Sequence, residues 1–389
     1  MIRYVVAAVP LLIWLYLLTA RGGFWRVARQ FAPLPTNHDL AKKVVAIMPA
    51  RNEAAVIGDA VKSLLQQNFA GSIHVVAIDD GSTDATHSVA VEAAAGIGLA
   101  AQLTIITATP PPPGWSGKVW AMSQGVATAT GLDPDYLLFT DADIHHDPDA
   151  VAALVSNAEA HQRDLVSCMV KLQAVTAAEK CLIPAFVFFF LMLYPPAWIA
   201  SAHSRAAGAA GGCMLIRPKA LERIGGLWTI RSQIIDDCAL ARAIKAGGGS
   251  IWLGLTRSAR STRRYVSFAE IGRMISRTAF NQLRHSYLLL TATMAGLFFT
   301  YLLPPLLLLS GQPLSMALGG AAWILMCIGY APMLRFYRLS PIWSLCLPAV
   351  ALFYAGATIH SAFQYRLGRG GQWKGRVQDL HIRVDEPHG

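Results

Sequence analysis

Short apolar runs alternate with helical stretches through the first half of the chain. Runs at residues 44–49, 73–79, 103–108, 136–141 and 165–171 read as strands, and the segments 53–67, 84–95, 118–129 and 148–161 read as helices. The runs are apolar almost throughout rather than alternating, as strands covered on both faces require. This order predicts an α/β domain with a mainly parallel sheet and right-handed crossovers, whose ligands bind beyond the carboxyl ends of the strands. Longer apolar stretches flank it. Residues 4–20 lie uncharged between Arg3 and Arg21, and at about 1.5 Å per residue they just reach across a bilayer core. A signal peptide is the competing reading, but no small-residue cleavage site is obvious, so an uncleaved anchor over residues 1–21 is expected.

Residues 286–334 carry no charged side chain, which leaves room for two spans with Gly311-Gln312-Pro313 as the turn, and residues 339–359 form a third apolar run. The expected organisation is an anchor at 1–21, a soluble domain at 42–284, membrane segments at 285–363 and a basic tail at 364–389. Residues 181–200 are also long enough to span. A single crossing there would put the acidic residues before and after it on opposite sides, so the segment is read as a membrane-surface or re-entrant helix broken near Pro195-Pro196. A buried core helix is the alternative.

Composition agrees with a membrane protein bearing a large soluble part: 389 residues, 54% hydrophobic and 14% charged. Arg21, Arg26, Arg29, Lys42 and Lys43 follow the first apolar stretch, which predicts a cytoplasmic soluble domain. Three full C-terminal spans would place the tail, with Arg366, Arg369, Lys374, Arg376 and Arg383, against the same rule, so the span count stays open. The net charge of +10 does not point to nucleic acid. Its basic residues gather near membrane segments, and residues 257–284 hold seven arginines against Glu270, a pattern read as a face on anionic lipid. The six cysteines show no Cys-x-x-Cys spacing and read as reduced thiols.

The candidate chemistry lies where the apolar runs end. Residues 136–139 run into Asp141-Ala142-Asp143, residues 44–48 into Pro49-Ala50-Arg51-Asn52-Glu53, and residues 75–78 into Asp79-Asp80-Gly81-Ser82-Thr83-Asp84. Two carboxylates one residue apart at a sheet rim suit Mg²⁺ or Mn²⁺ completed by substrate phosphates. Asp236-Asp237 follow much later and also suit the start of a helix at 238–246. Gly114 to Lys118 lacks the Walker spacing, and Lys118 reads either as a donor contact or as a solvated helix-start residue. His145-His146, beside the metal motif, are expected to point apart.

These four motifs, in this order, resemble those of family 2 glycosyltransferases with the GT-A (Rossmann-like) fold, and the likeness covers about 42–284. More narrowly, residues 113–121, Tyr194-Pro195-Pro196-Ala197-Trp198 and Trp373-Lys374-Gly375-Arg376 resemble the hopene-associated glycosyltransferases. The resemblance implies an inverting, metal-dependent transfer from a nucleotide-diphospho sugar, expected to be a UDP-hexose, to a hydroxyl of a membrane lipid such as a hopanoid. It implies that Pro49, Arg51, Glu53, Asp79 and Asp80 hold the nucleoside side of the donor, that Asp141 and Asp143 act on its diphosphate through Mg²⁺ or Mn²⁺, and that Asp237 is the general base. Asp236 stands where a glutamate is usual. Gly211-Gly212-Cys213, followed by Arg217, resembles the acceptor-side loop. The nearest stretch to the processive motif Gln-x-x-Arg-Trp is Asn281-Gln282-Leu283-Arg284-His285, in which two of the three defining residues differ, so transfer of one or a few sugars is expected, with Arg284 on the diphosphate. The lipid bilayer is then a partner and a bacterial-type inner membrane the location. A polyprenyl-phosphate sugar synthase and a non-catalytic membrane scaffold are the alternatives.

Overall fold

The computed structural model describes residues 2–27, 36–37 and 39–368, and the short antiparallel strands Gln372–Trp373 and Arg376–Val377. Arg29, Arg369, Lys374 and Arg383 fall outside the described residues.

One eight-stranded sheet organises the middle of the chain. Its strands are β1 (Lys43–Ala50), β2 (Ser72–Asp79), β3 (Leu103–Thr107), β4 (Tyr136–Phe139), β5 (Ile144–His146), β6 (Leu165–Lys171), β7 (Met214–Ile216) and β8 (Ile251–Ser261), in the order β3-β2-β1-β4-β7-β6-β8-β5. The first four are parallel. β1 is buried along its whole length after Lys43, as its unbroken apolar sequence predicts. The crossover helices Ile57–Leu65, Thr86–Ala95 and Gly117–Thr130 coincide with those read from the sequence.

The second half of the sheet is mixed. β7 runs antiparallel between β4 and β6, β8 runs parallel to β6, and β5 pairs antiparallel with the end of β8. The sequence reading contained none of β5, β7 and β8. Two are three residues long, and the third carries Arg257 and Arg260 within an apolar pattern. The pairing of Ile144 with Ser261 matters most, because it lays the chain after β8 directly against Asp143.

That location also changes the reading of the arginine-rich stretch. Arg257 donates to the Phe336 carbonyl at 2.8 Å and covers its ring, Arg260 pairs with Asp147, and Arg263 pairs with Glu53 and Asp143. Arg264, Arg273 and Arg277 line a cavity described below. The expectation of a lipid-facing basic surface is therefore corrected for Arg257, Arg260 and Arg263, while Arg264, Arg273 and Arg277 are exposed. Arginines fold inward here because carboxylates and helix-end carbonyls wait for them, a pairing that local sequence does not encode.

Among the described residues, four helices are long and apolar enough to cross a membrane: Ala177–Ala200, Tyr287–Leu307, Pro313–Phe336 and Pro341–Arg366. The N-terminal helix Ile2–Thr19 packs among them. Trp14 is fully buried and donates to the Thr300 carbonyl at 2.8 Å. The approach of this helix to Pro313–Phe336 needs Gly329, where a Cβ would lie 2.9 Å from Leu18 Cδ2. The expected surface helix is Ala177–Leu193, and it breaks at Tyr194-Pro195 before the short helix Pro196–Ala200. It is enclosed by other helices. Phe188 packs on Phe24 and Tyr330, Phe189 packs on Tyr301 and Tyr354, and Tyr354 donates to the Leu182 carbonyl at 2.9 Å. Arg21 donates to the Met192 carbonyl at 3.1 Å and lies over Trp198, favourable for a cation at a helix C-terminus.

Glu179 starts this helix and holds it to the sheet. It is fully buried in a capping box with Thr176, and its carboxylate accepts from the amides of Val175, Thr176 and Tyr265 at 2.8, 2.9 and 2.7 Å. Glu179→Ala leaves three amides without their acceptor, so a loss of about 2–3 kcal/mol is expected. Thermal unfolding in detergent measures it, and an unchanged midpoint would contradict this role.

Candidate active site

The ends of β1 and β2 are joined by side-chain hydrogen bonds. Asn52, at φ +52°, accepts from the Thr83 amide at 2.8 Å, while the Glu53 amide donates to Thr86 Oγ1 at 2.8 Å. Asp79 accepts from the Ser82 amide at 2.8 Å, and Arg51 donates to the Asp80 carbonyl and lies 3.7 Å from its carboxylate. Arg51, Asp79 and Asp80 thus hold this turn together, and they are not among the residues lining the cavity beside it.

The cavity has a volume of about 940 Å³. Of the sequence candidates, Pro49, Glu53, Lys118, Asp141, Asp143 and Asp237 line it. Lys118, in the first turn of Gly117–Thr130, reaches Asp141 at 3.0 Å and Asp236 at 3.4 Å. Burial works against its charge, but the two carboxylates outweigh that and keep it protonated. The alternative of a solvated helix-start lysine is therefore set aside. Asp141 responds in the opposite sense. Burial would raise its pKa, yet Lys118, helped by Arg277 and Arg263, holds it below the usual carboxylate range.

Asp143 accepts from Ser261 Oγ at 2.8 Å and from Arg263 Nε at 3.2 Å, and its carbonyl takes the Thr262 amide at 2.8 Å. Arg263 also reaches Glu53 at 2.6 Å, linking the end of β1 to the acidic motif after β4. Among the described residues no cluster of three His, Cys, Asp or Glu could hold a metal by itself. Asp141 and Asp143 still fit Mg²⁺ or Mn²⁺. Both offer only oxygen, both face the cavity, and the Asp141 side chain is 39% exposed, which leaves room for phosphate and water to complete the shell. Lys118 and Arg263 balance these carboxylates in the structure.

Asp237 sits on the facing wall, in the first turn of Asp236–Ala246. Its Oδ2 accepts the Gly211 amide at 2.9 Å and its Oδ1 the Cys238 amide at 2.6 Å. Burial and the adjacent Asp236 charge push its pKa up to about 6, against the pull of Lys118 and the two amides. Its place in the first turn of the helix does not remove it from the cavity wall. Gly211 lies close to both charged groups: a Cβ there would stand in ordinary contact, 3.4 Å from Asp237 Oδ2 and 3.5 Å from Lys118 Nζ. Arg217, by contrast, pairs with Glu159 at 3.2 Å and covers Tyr136.

Arg284 does not line the cavity, and both it and His285 adopt positive φ. Gln282, two residues before Arg284, donates to the Tyr194 hydroxyl at 2.6 Å and holds the break after Ala177–Leu193. The arginines that do face the cavity are Arg263, Arg264, Arg273 and Arg277. The count of seven arginines was visible in the sequence, but their direction was not. His145 pairs with Asp59 at 2.8 Å and the buried His146 with Thr140 at 3.0 Å; neither lines the cavity.

The family model described as Glycosyl transferase family 2 matches residues 45–225. Over this segment the chain is similar to family 2 glycosyl transferases. It contains the acidic motifs of β1, β2 and β4 and ends before Asp237 and Arg263. Over 117 residues the chain is 35% identical to a 4,4'-diaponeurosporenoate glycosyltransferase from Staphylococcus aureus (strain MRSA252), a match that spans 30% of this chain and 28% of that protein. In structure it resembles the mannosyltransferase PcManGT from Pyrobaculum calidifontis in complex with GDP-Man and Mn²⁺, with a TM-score of 0.52 at 17% identity over 92% of this chain and 99% of that one. The domain has a GT-A-like fold and is followed by apolar helices.

Proposed function

We propose that the protein transfers a sugar, with inversion, from a nucleoside-diphospho sugar to a hydroxyl group of a membrane lipid. One observation carries this reading: Asp237 and the Asp141/Asp143 pair share one cavity with Lys118 between them, and Phe186, Phe190 and Met274 form its apolar part. The acceptor oxygen attacks the anomeric carbon, its proton passes to Asp237, and the bond to the diphosphate breaks on the opposite face. A carboxylate with its pKa near 6 is ionised at neutral pH and basic enough to take that proton. Mg²⁺ or Mn²⁺, held by Asp141 and Asp143, would supply Lewis-acid stabilisation of the departing diphosphate. Arg277, which lines the cavity and acts electrostatically on Asp141, is placed to share that task, the part the sequence reading gave to Arg284.

A UDP-hexose is the donor we would test first, with a hopanoid among the acceptors, and the domain is placed on the cytoplasmic side of a bacterial inner membrane. Three of the four cavity arginines, Arg264, Arg273 and Arg277, favour a second reading, a polyprenyl-phosphate acceptor, which needs no base. The experiment is nucleotide release from a panel of UDP- and GDP-sugars by detergent-solubilised protein, with and without lipid extract. Lipid-dependent release that Asp237→Asn abolishes supports the hydroxyl acceptor. Release that survives this substitution supports the phosphate acceptor. Binding of donor without any release would sink the transferase reading in favour of a scaffold.

A further inference from the structure

His360 and Gln364 are the polar side chains that the last apolar helix contributes to the cavity. They lie one turn apart and their side chains are 3.0 Å from each other. A histidine and a glutamine within a helix apolar enough to cross a membrane are costly there unless something uses them. Their position is built rather than incidental. Ser361, beside His360, accepts the Phe280 amide at 3.0 Å and donates to the Ser276 carbonyl. Gly272 brings the helix Phe268–Ser276 against the same element, where a Cβ would meet Phe353 at 3.3 Å. The helix Ala177–Leu193 touches this last helix at Tyr354, and Phe186 and Phe190 from its next turns line the same cavity.

We propose that His360 and Gln364 form the acceptor subsite, binding the hydroxylated head of the lipid while its apolar body lies along Phe186 and Phe190. The inference rests on the transferase reading above and adds which residues select the acceptor. An imidazole beside a carboxamide offers both donors and acceptors without a fixed charge, which suits a hydroxyl group. A phosphate would be met better by Arg264, Arg273 and Arg277 on the neighbouring elements, with Glu270 the acidic group among them.

The test uses the full chain and the sugar nucleotide it turns over, with bacterial lipid extract split into neutral and anionic fractions. Gln364→Leu and His360→Phe should each raise the half-saturating neutral lipid about tenfold, the scale of one lost hydrogen bond. Donor KM and lipid-free binding of the nucleoside diphosphate should stay within twofold, which also shows that the variants fold. His360→Gln, which keeps a donor and an acceptor, should recover most of the loss. Unchanged lipid half-saturation in both variants, a change confined to donor KM, or release supported by the anionic fraction alone would each overturn the assignment. Wild-type protein that binds nucleoside diphosphate but shows no lipid-dependent release would overturn the transferase reading, and this inference with it.

Discussion

Asp237→Asn is expected to lower lipid-dependent nucleotide release by about three orders of magnitude while making the protein more stable at neutral pH. The activity loss follows from removing a general base, which is worth roughly 10²–10⁴-fold in rate. The stability gain has a separate cause. Burial and Asp236 raise the Asp237 pKa to about 6 from 3.8, so the folded state is penalised whenever this carboxylate is ionised. At about 1.4 kcal/mol per unit the penalty is at most about 3 kcal/mol. Asparagine resembles the neutral acid and escapes it. The sign runs opposite to that of a stabilised carboxylate: the penalty is absent below the unfolded pKa, grows as pH rises towards about 6, and is complete above it. Because asparagine can accept only one of the two backbone amides that the carboxylate accepts, the variant should be slightly the less stable in its unfolding midpoint near pH 4 and the more stable by pH 7. In the wild type, kcat/KM should fall towards acid with a midpoint near 6. A variant that is inactive and also less stable at pH 7 would show instead that Asp237 holds the helix start, and the base would have to be sought elsewhere.

Divalent metal should be the other large lever. Chelation is expected to stop nucleotide release, and Mn²⁺ or Mg²⁺ should restore it. Asp143→Asn should reduce the rate on the order of 10²-fold or more, the usual scale for losing one electrostatic contact to a developing charge. Two positive groups, Lys118 and Arg263, already balance these acids, and Asp143 also anchors Arg263. Arg263→Ala separates the two effects, because it frees Asp143 without removing it. Calorimetry supplies a readout besides turnover: nucleoside diphosphate should bind more tightly with metal, and Asp143→Asn should shrink that difference. Full activity after exhaustive chelation would rule out the metal role of Asp141 and Asp143 and leave the diphosphate to Lys118 and the arginines.

How far the sequence could be read differs sharply between the two halves of the sheet. β1 to β4 and their helices matched to within a few residues, since each is a local apolar run with a covering helix. β5 and β7 are too short to show a period, and β8 was hidden by its own arginines. The site divides in the same way. Glu53, Lys118, Asp141, Asp143 and Asp237 were found at strand or helix ends and do line the cavity, whereas Asp79, Asp80 and Arg51 secure a turn beside it and are not among its lining residues. Arg284 was chosen for its place in a motif, but positive φ at Arg284 and His285 turns the chain there, and Arg277 lines the cavity.

By itself the sequence determined the α/β order, the apolar helices and the acidic motifs, because periodicity and strand-end chemistry are written within a few residues of each other. Only the tertiary structure decided which cations face those acids and which membrane-helix side chains join them. Arg263 reaches Glu53 because β8 pairs with β5, and His360 enters the cavity because Ser361 ties its helix to Phe280. Such contacts join residues far apart in the chain, and no local pattern specifies them.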